Sequence, residues 1–329
     1  MPRSPFEGLR IPSSPTLTLK WASQTMLKVG GRDRREVALA RLSVCVKVLD
    51  YYISFLNSIP TPKELHPFYR EMAELTLGSD WPEEVEKLRR KLVVGRTISF
   101  KFYKELSKTP MDRIGKLEKE AVGRSLSFLR RNSTAVEQIV TGFSKLSKLA
   151  FIDPSLPTVI VAGLPNVGKS SIVASLSSAK LEIASYPFTT KDIHVGHLET
   201  KLGKVQIVDT PGLLDRPNSE RNIIEKKAVN ALRNLNGVIL FAFDGTEATT
   251  VSEELNVFEE VVKLNKPSLA CINKMDIASS SKVKRLEELV KEKGIRLVKV
   301  SCVNGDSLEE LKVAIEDELS SYLGLRPIF

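Results

Sequence analysis

The sequence predicts an α/β domain built on a doubly wound, mostly parallel sheet, preceded by an all-α helical bundle. Three observations carry this expectation. Apolar runs at Thr158–Ala162, Val205–Val208, Ser268–Ile272 and Ile295–Val300 each end in glycine or polar residues, as strands buried on both faces do. Upstream of them, apolar residues recur at helical spacing instead. Charge divides at the same place: residues 1–150 hold 27 Lys and Arg against 16 Asp and Glu, whereas the remainder holds 22 against 24. A chain of 329 residues accommodates two domains. We take 1–150 as a basic bundle, 151–157 (F-I-D-P-S-L-P) as a linker and 158–329 as the sheet domain.

In the bundle, Ala38, Leu42, Cys45, Leu49, Tyr52 and Phe55 form one long amphipathic stripe. Thr61-Pro62-x-Glu64 combines an N-cap, a proline at the first helical position and a capping-box glutamate. It predicts a helix carrying Leu65, Phe68, Met72 and Leu75. Asp80-Trp81-Pro82 announces another, with Val85, Leu88 and Leu92. Val136, Ile139, Phe143 and Leu146 make the last stripe. These stripes read as bundle core. The clusters Arg32/Arg34/Arg35, Arg89/Arg90/Lys91, Lys101/Lys104/Lys108 and Arg130/Arg131 are candidate phosphate contacts on RNA. Each alone is a solvated helix face, and the regional excess is what points to a polyanion. No apolar run of membrane-spanning length and no signal peptide occurs, so no membrane partner is expected. Cys45, Cys271 and Cys302 lie scattered in apolar patterns, as reduced intracellular thiols do.

The sheet domain opens with a loop of defined chemistry. G-L-P-N-V-G-K-S-S (Gly163 to Ser171) fits the pattern G-x-x-x-x-G-K-[ST]. Its glycines let the backbone turn tightly enough for the N–H groups of Gly163, Asn166, Val167 and Gly168 to close on a β- and γ-phosphate, with Pro165 in the same loop. Lys169 brings a positive charge to those phosphates, and the Ser170 hydroxyl completes a magnesium shell, with Ser171 following. A helix over Ile172, Leu176 and Ala179 is expected next. Asp209, ahead of Thr210-Pro211-Gly212, is placed to hold Mg2+ through water. The Gly212 N–H is free to bond the γ-phosphate and lose it, which makes Gly212 a switch hinge. Between these motifs, Thr190, preferred over Thr189, should meet the same Mg2+. Asn273-Lys274-Met275-Asp276 selects the base: a carboxylate at Asp276 accepts from the N1–H and amine of guanine, a donor pair adenine lacks. Lys274 would lay its stem across the purine, and Asn273 would tie this loop to the phosphate loop. Ser301-Cys302-Val303 should close the far side with backbone donors. Together these expectations describe a P-loop GTPase domain, with Lys169, Thr190 and Gly212 as its catalytic residues. A strand near Ile193–Thr200 should pair antiparallel with Lys204–Asp209 through a turn at Gly203, placing His194 and His197 on opposite faces.

The phosphate loop and the run Y-P-F-T-T…I-H-V-G-H (Tyr186 to His197) resemble the Obg class of GTPases. With D-T-P-G-L-L-D-R-P…E-R-N-I-I-E (Asp209 to Glu225), they are most similar to the nucleolar GTP-binding protein 1 family and its archaeal relatives. The front half is similar in layout only. The resemblance implies a GTP-controlled factor that docks on the preribosomal large subunit and its rRNA. It implies a cytoplasmic protein, nucleolar only if the source is eukaryotic. The end at Phe329 looks like the compact archaeal form. In Ras-like GTPases the place of Leu213 belongs to a water-orienting glutamine, so hydrolysis should be slow or assisted. Arg216 and Arg221 lie nearby. Asn166 corresponds to a residue some related GTPases use to hold K+, its alternative being a loop-stabilising hydrogen bond. Two other readings stay open: an RNA-binding scaffold gated by nucleotide with negligible turnover, and a tRNA- or membrane-linked regulatory GTPase.

Overall fold

The computed structural model describes residues 4–148, 151–178, 182–185, 192–209, 214–215, 229 and 232–324. They fall into two compact units, one of residues 5–65 and 76–147, the other of residue 4, residues 66–75 and the chain from 148 onward.

The first unit is helical. α1 (Pro15–Lys28) starts where the Ser14 side chain accepts from Leu17 N and Pro15 presets the first turn. α2 (Arg34–Ser58) is capped by Asp33, which accepts from Glu36 N, while Glu36 reaches back to Arg32 N at 2.8 Å. All six residues of its expected stripe are buried. α4 (Trp81–Leu106), α5 (Ile114–Arg131) and α6 (Ser133–Leu146) complete the bundle. Phe143 gathers Phe6, Phe55 and Trp81 at ring-centroid separations of 5.9, 6.2 and 5.7 Å, the latter two in the edge-on geometry aromatic quadrupoles favour. Across α4 and α5, the buried hydroxyls of Ser99 and Ser125 satisfy each other at 2.8 Å.

The helix expected to start at Thr61 starts later, as α3 (Pro67–Leu77). Glu64 does bond Thr61, accepting from its N–H at 2.7 Å and its hydroxyl at 2.9 Å, but this closes an isolated turn. His66 precedes a proline, which disfavours helical backbone there. The helix therefore restarts with Pro67 in its first turn. Leu65 is buried ahead of α3, and Phe68 and Met72 are buried within it. The Tyr69 hydroxyl donates to Ile152 O at 2.7 Å, inside the second unit. The segment 151–157 is packed there too: Ile152 is buried, and the Gln206 amide bonds Asp153 at both its N–H (3.1 Å) and carbonyl (2.8 Å).

The second unit is a seven-stranded sheet. Its strands are β1 (Thr158–Ala162), β2 (Glu182–Ser185), β3 (Asp192–Thr200), β4 (Gly203–Asp209), β5 (Gly237–Asp244), β6 (Ser268–Asn273) and β7 (Leu297–Lys299), in the order β2-β3-β4-β1-β5-β6-β7. β4, β1, β5, β6 and β7 are parallel, and β3 pairs antiparallel with β4 from Thr200↔Gly203 to His194↔Asp209. The expected strand at 295–300 is shorter: Val300 N–H still donates to Ile272 O of β6, but its carbonyl accepts from Met275 N and Ser301 N–H donates to Asp306 O in the neighbouring loops. β1 and β5 are buried at every position, as central parallel strands require. α7 (Lys169–Leu176), α8 (Val251–Val262), α9 (Ser280–Glu292) and α10 (Leu308–Leu323) join them. Phe258 of α8 packs on Phe241 and Phe243 of β5 at 5.0 and 5.1 Å. Ala179 lies outside the described residues.

Candidate functional site: a loop cluster at the strand tips

The site forms beyond the carboxyl ends of β1, β4, β5 and β6, on both sides of the point where the chain order reverses around β1. The loop after β1 needs its glycines. Gly163 has φ 140°, and a Cβ there would lie 2.3 Å from Ala242 O. Gly168 has φ 95°, and a Cβ there would lie 2.3 Å from the Asn273 amide nitrogen. Asn166 is left-handed as well, at φ 65°, a conformation its short polar side chain tolerates better than most. Pro165, Asn166, Ser170 and Ser171 are exposed, whereas Val167 is fully buried as the loop's anchor.

Lys169 opens α7 and is 7% exposed. Its ammonium donates to the carbonyls of Gly163 and Leu164, both at 2.8 Å. A cation is thus held beside backbone N–H groups at a helix N-terminus, an arrangement suited to anionic oxygens. Ser170 Oγ donates to Asp209 Oδ2 at 2.5 Å. The Asp209 side chain is fully buried, and its Oδ1 has no hydrogen-bond partner among the described residues. A buried carboxylate with an unsatisfied oxygen beside a serine hydroxyl is a donor set that fits a hard cation such as Mg2+.

β6 delivers the second half. Asn273 Nδ2 donates to Val167 O at 3.0 Å, and its Oδ1 accepts from Cys302 N at 3.4 Å. One amide therefore ties together the loops after β1, β6 and β7. Lys274 stands in a left-handed conformation, φ 62°, with its ammonium 2.6 Å from Asp244 Oδ2. Asp276 is exposed, and its Oδ1 accepts from Ser301 Oγ at 2.6 Å. Ser301 is thus a positioning hydroxyl as well as part of a backbone loop. Val303 is 84% exposed, and its side chain faces solvent. Burial raises the pKa of the Cys302 thiol, which favours its protonated form.

One feature escapes the motif reading. Asp244, at the tip of β5 and 1% exposed, holds Lys274 and also accepts from the N–H and hydroxyl of Thr246, both at 2.8 Å. Burial alone would raise its pKa; the Lys274 and Thr246 hydrogen bonds outweigh burial and hold the carboxyl below its usual range. Behind it, Glu254 Oε1 accepts from Asp244 N at 2.6 Å, and Glu254 Oε2 lies 3.1 Å from the Lys282 ammonium. Lys282 donates to the carbonyls of Thr246 and Thr249, both at 2.7 Å. Burial pushes the Glu254 carboxyl upward despite this pairing. The signal was an Asp closing the apolar run G-V-I-L-F-A-F. His194, already singled out on its strand, sets its Nδ1 3.4 Å from Asp209 Oδ2 across the β3–β4 pair.

Thr189, Thr190, Thr210, Pro211, Gly212, Leu213, Arg216 and Arg221 lie outside the described residues. Among the described residues, no helix is long and apolar enough to cross a membrane.

A glycine-bearing loop with its lysine, a serine–aspartate pair and an Asn-Lys-x-Asp loop, all at the tips of parallel strands, define a P-loop GTPase. A family model described as a 50S ribosome-binding GTPase matches residues 158–274, and one described as the NOG1 N-terminal helical domain matches residues 18–153. An uncharacterised protein of Methanocaldococcus jannaschii is 39% identical over 244 residues, covering 72% of this chain and 68% of that one. Nucleolar GTP-binding protein 1 of Caenorhabditis elegans is 33% identical over 289 residues, 82% of this chain and 41% of its own length. Its Drosophila melanogaster counterpart is 31% identical over 292 residues, 83% and 44%. The chain belongs to the nucleolar GTP-binding protein 1 family. It spans less than half the length of these two nucleolar relatives.

Proposed function

We propose that the chain binds GTP with Mg2+, hydrolyses it slowly to GDP and phosphate, and acts as a switch-like assembly factor for the large ribosomal subunit. The observation that carries the nucleotide reading is the joining of three loops by Asn273, with exposed Asp276 oriented by Ser301. Asp276 would accept both guanine donors, and the Lys274 stem would lie under the ring. Gly163, Pro165, Asn166, Val167, Gly168, Lys169, Ser170 and Ser171 would wrap the phosphates. Cys302 and Val303 would border the base.

Ser170, Asp209 and Thr190 would hold Mg2+, which when bound supplies positive charge against the β- and γ-phosphate oxygens. Ser170 Oγ and Asp209 bond each other, so both groups stand together where they would meet the ion. Thr190 and Gly212 would contact the γ-phosphate and so report its presence. Leu213 cannot orient water, so faster turnover needs a partner group or a K+ held at Asn166.

The ribosomal reading is supported by the nucleolar names of the relatives and by the charge of the first 150 residues, which we assign to rRNA docking, with 158–329 as the GTPase. Several basic side chains there are engaged internally. Arg35 donates to Thr109 O, Arg89 and Arg90 to Glu86, and Lys91 to Asn132. The Lys101/Lys104/Lys108 and Arg130/Arg131 clusters are the better phosphate contacts. GTP hydrolysis measured with and without large-subunit precursor particles, in Na+ and in K+, tests this. Stimulation by the particles is expected; stimulation by tRNA or lipid vesicles instead would contradict it. Leu213 also favours a second reading, a GTP-gated scaffold, and normal function of a hydrolysis-dead variant would select it.

A further inference from the structure

α1 and α2 enclose an open groove of about 520 Å³, lined by Leu17, Thr18, Trp21, Lys47 and Tyr51 among others. Its floor is fixed. The Tyr52 hydroxyl donates to Ser13 O at 2.8 Å and lies 2.9 Å from the Thr18 hydroxyl. Tyr51 meets the Tyr52 ring edge-on, with centroids 5.6 Å apart. An occupant would therefore find one aromatic wall already oriented and spend little ordering free energy on it. Yet Trp21 is 50% exposed, Tyr51 43% and Leu17 61%. A cluster of large apolar faces left in water marks a contact surface more than a folding feature.

Charge narrows what the occupant can be. The groove lining holds one cation, Lys47, and no carboxylate. α1 adds Lys20 and Lys28 and contains neither Asp nor Glu. Beside Tyr51, Asp50 is taken by Arg96 of α4 at 2.5 Å, and the Arg96 guanidinium sits 5.2 Å from the centroid of half-exposed Phe100. The groove thus sets the flat faces of Trp21 and Tyr51 beside a cation, with the neighbouring carboxylate, Asp50, already paired. An anionic chain carrying flat rings uses both: bases stack on the aromatics, and phosphates meet the lysine ammonium groups.

We propose that this groove seats unpaired bases of RNA, with Trp21 and Tyr51 as the stacking platform and Lys47 on an adjoining phosphate. The inference rests on RNA being the partner of the helical unit and deepens it: the recognised element is a single-stranded loop or bulge, not a duplex.

Trp21 is one of two tryptophans, and the other, Trp81, is 2% exposed, so emission changes on binding report the groove. The full chain is titrated with a uridine-rich single-stranded oligonucleotide, following tryptophan emission and the anisotropy of labelled RNA at several salt concentrations. The expected result is quenching on binding. Trp21→Ala and Tyr51→Ala should each weaken affinity about tenfold with an unchanged salt slope. Lys47→Ala should lower that slope by about 0.7. Both aromatic side chains are about half exposed, so the variants should still fold cooperatively, with only a small drop in unfolding midpoint. RNA binding without quenching, and with unchanged affinity in both aromatic variants, overturns the groove assignment while leaving the RNA reading intact; a groove filled by a protein segment gives this result. No salt-sensitive RNA binding by the wild-type chain overturns both.

Discussion

The Lys274 ammonium lies 2.6 Å from the Asp244 carboxylate, joining the base-binding loop to the tip of β5. Lys274 sits at φ 62°, so its stem is aimed by backbone and its end is held by charge. Asp244→Asn removes that hold without touching Asp276. Affinity for GTP should fall about tenfold, the loss of one charge-assisted hydrogen bond, while guanine remains preferred. Calorimetric titration with GTP and ATP checks both parts.

The same carboxylate should register in acid. Its folded pKa is depressed, so its contribution to stability is present above the ordinary Asp range and lost as pH falls through the folded value. Denaturation by urea between about pH 6 and about pH 3 should show a smaller acid loss for Asp244→Asn than for the wild type. Equal losses would mean that Asp244 is not held as described.

Behind it, Lys282 and Glu254 are an ion pair with side chains 2% and 0% exposed. Lys282→Met would leave Glu254 buried without its cation. We expect destabilisation of about 3–5 kcal/mol, read as a lower urea midpoint. The double change Lys282→Met with Glu254→Gln should recover part of it, because no uncompensated charge remains.

Asp276→Asn converts one acceptor into a donor. GTP affinity should drop by about tenfold to a hundredfold, the range for one or two lost bonds to a charged group. Binding of xanthosine triphosphate, which carries a carbonyl where guanine has its amine, should improve. A variant with the wild-type nucleotide profile would break the base assignment.

Gly168→Ala would place a methyl group 2.3 Å from the Asn273 amide nitrogen on backbone at φ 95°. The Asn273–Val167 bond must then give way, so nucleotide affinity and folding stability should fall together, the latter by more than about 1 kcal/mol. Asn273→Ala should mimic the affinity loss without the backbone strain.

Much of the site could be read from sequence because its residues are bound to strand tips at fixed motif spacing. Lys169, Asn273 and Asp276 fall where the buried runs end. Asp244 obeys the same rule, but its short Asp-Gly-Thr tip fits no motif, and its role appears only through Lys274. Helix α1 leaves no stripe in the sequence, because Leu17, Leu19, Trp21 and Leu27 do not share one face; Ser14 and Pro15 start it, and the exposed Leu17 and Trp21 belong to its outer side. The premature start given to α3 has the opposite cause. Thr61 and Glu64 do make capping bonds, but the His66-Pro67 step forbids continuing the helix through them. Local chemistry was right and its extent was wrong.

Calorimetric titration of the purified chain with GTP and with ATP, each with excess Mg2+, is the most direct measurement. Saturable one-to-one binding of GTP, with ATP weaker by at least about a hundredfold, is the predicted result. Equal affinity for the two nucleotides, or none for GTP, would contradict the assignment of the four strand tips to a guanine nucleotide.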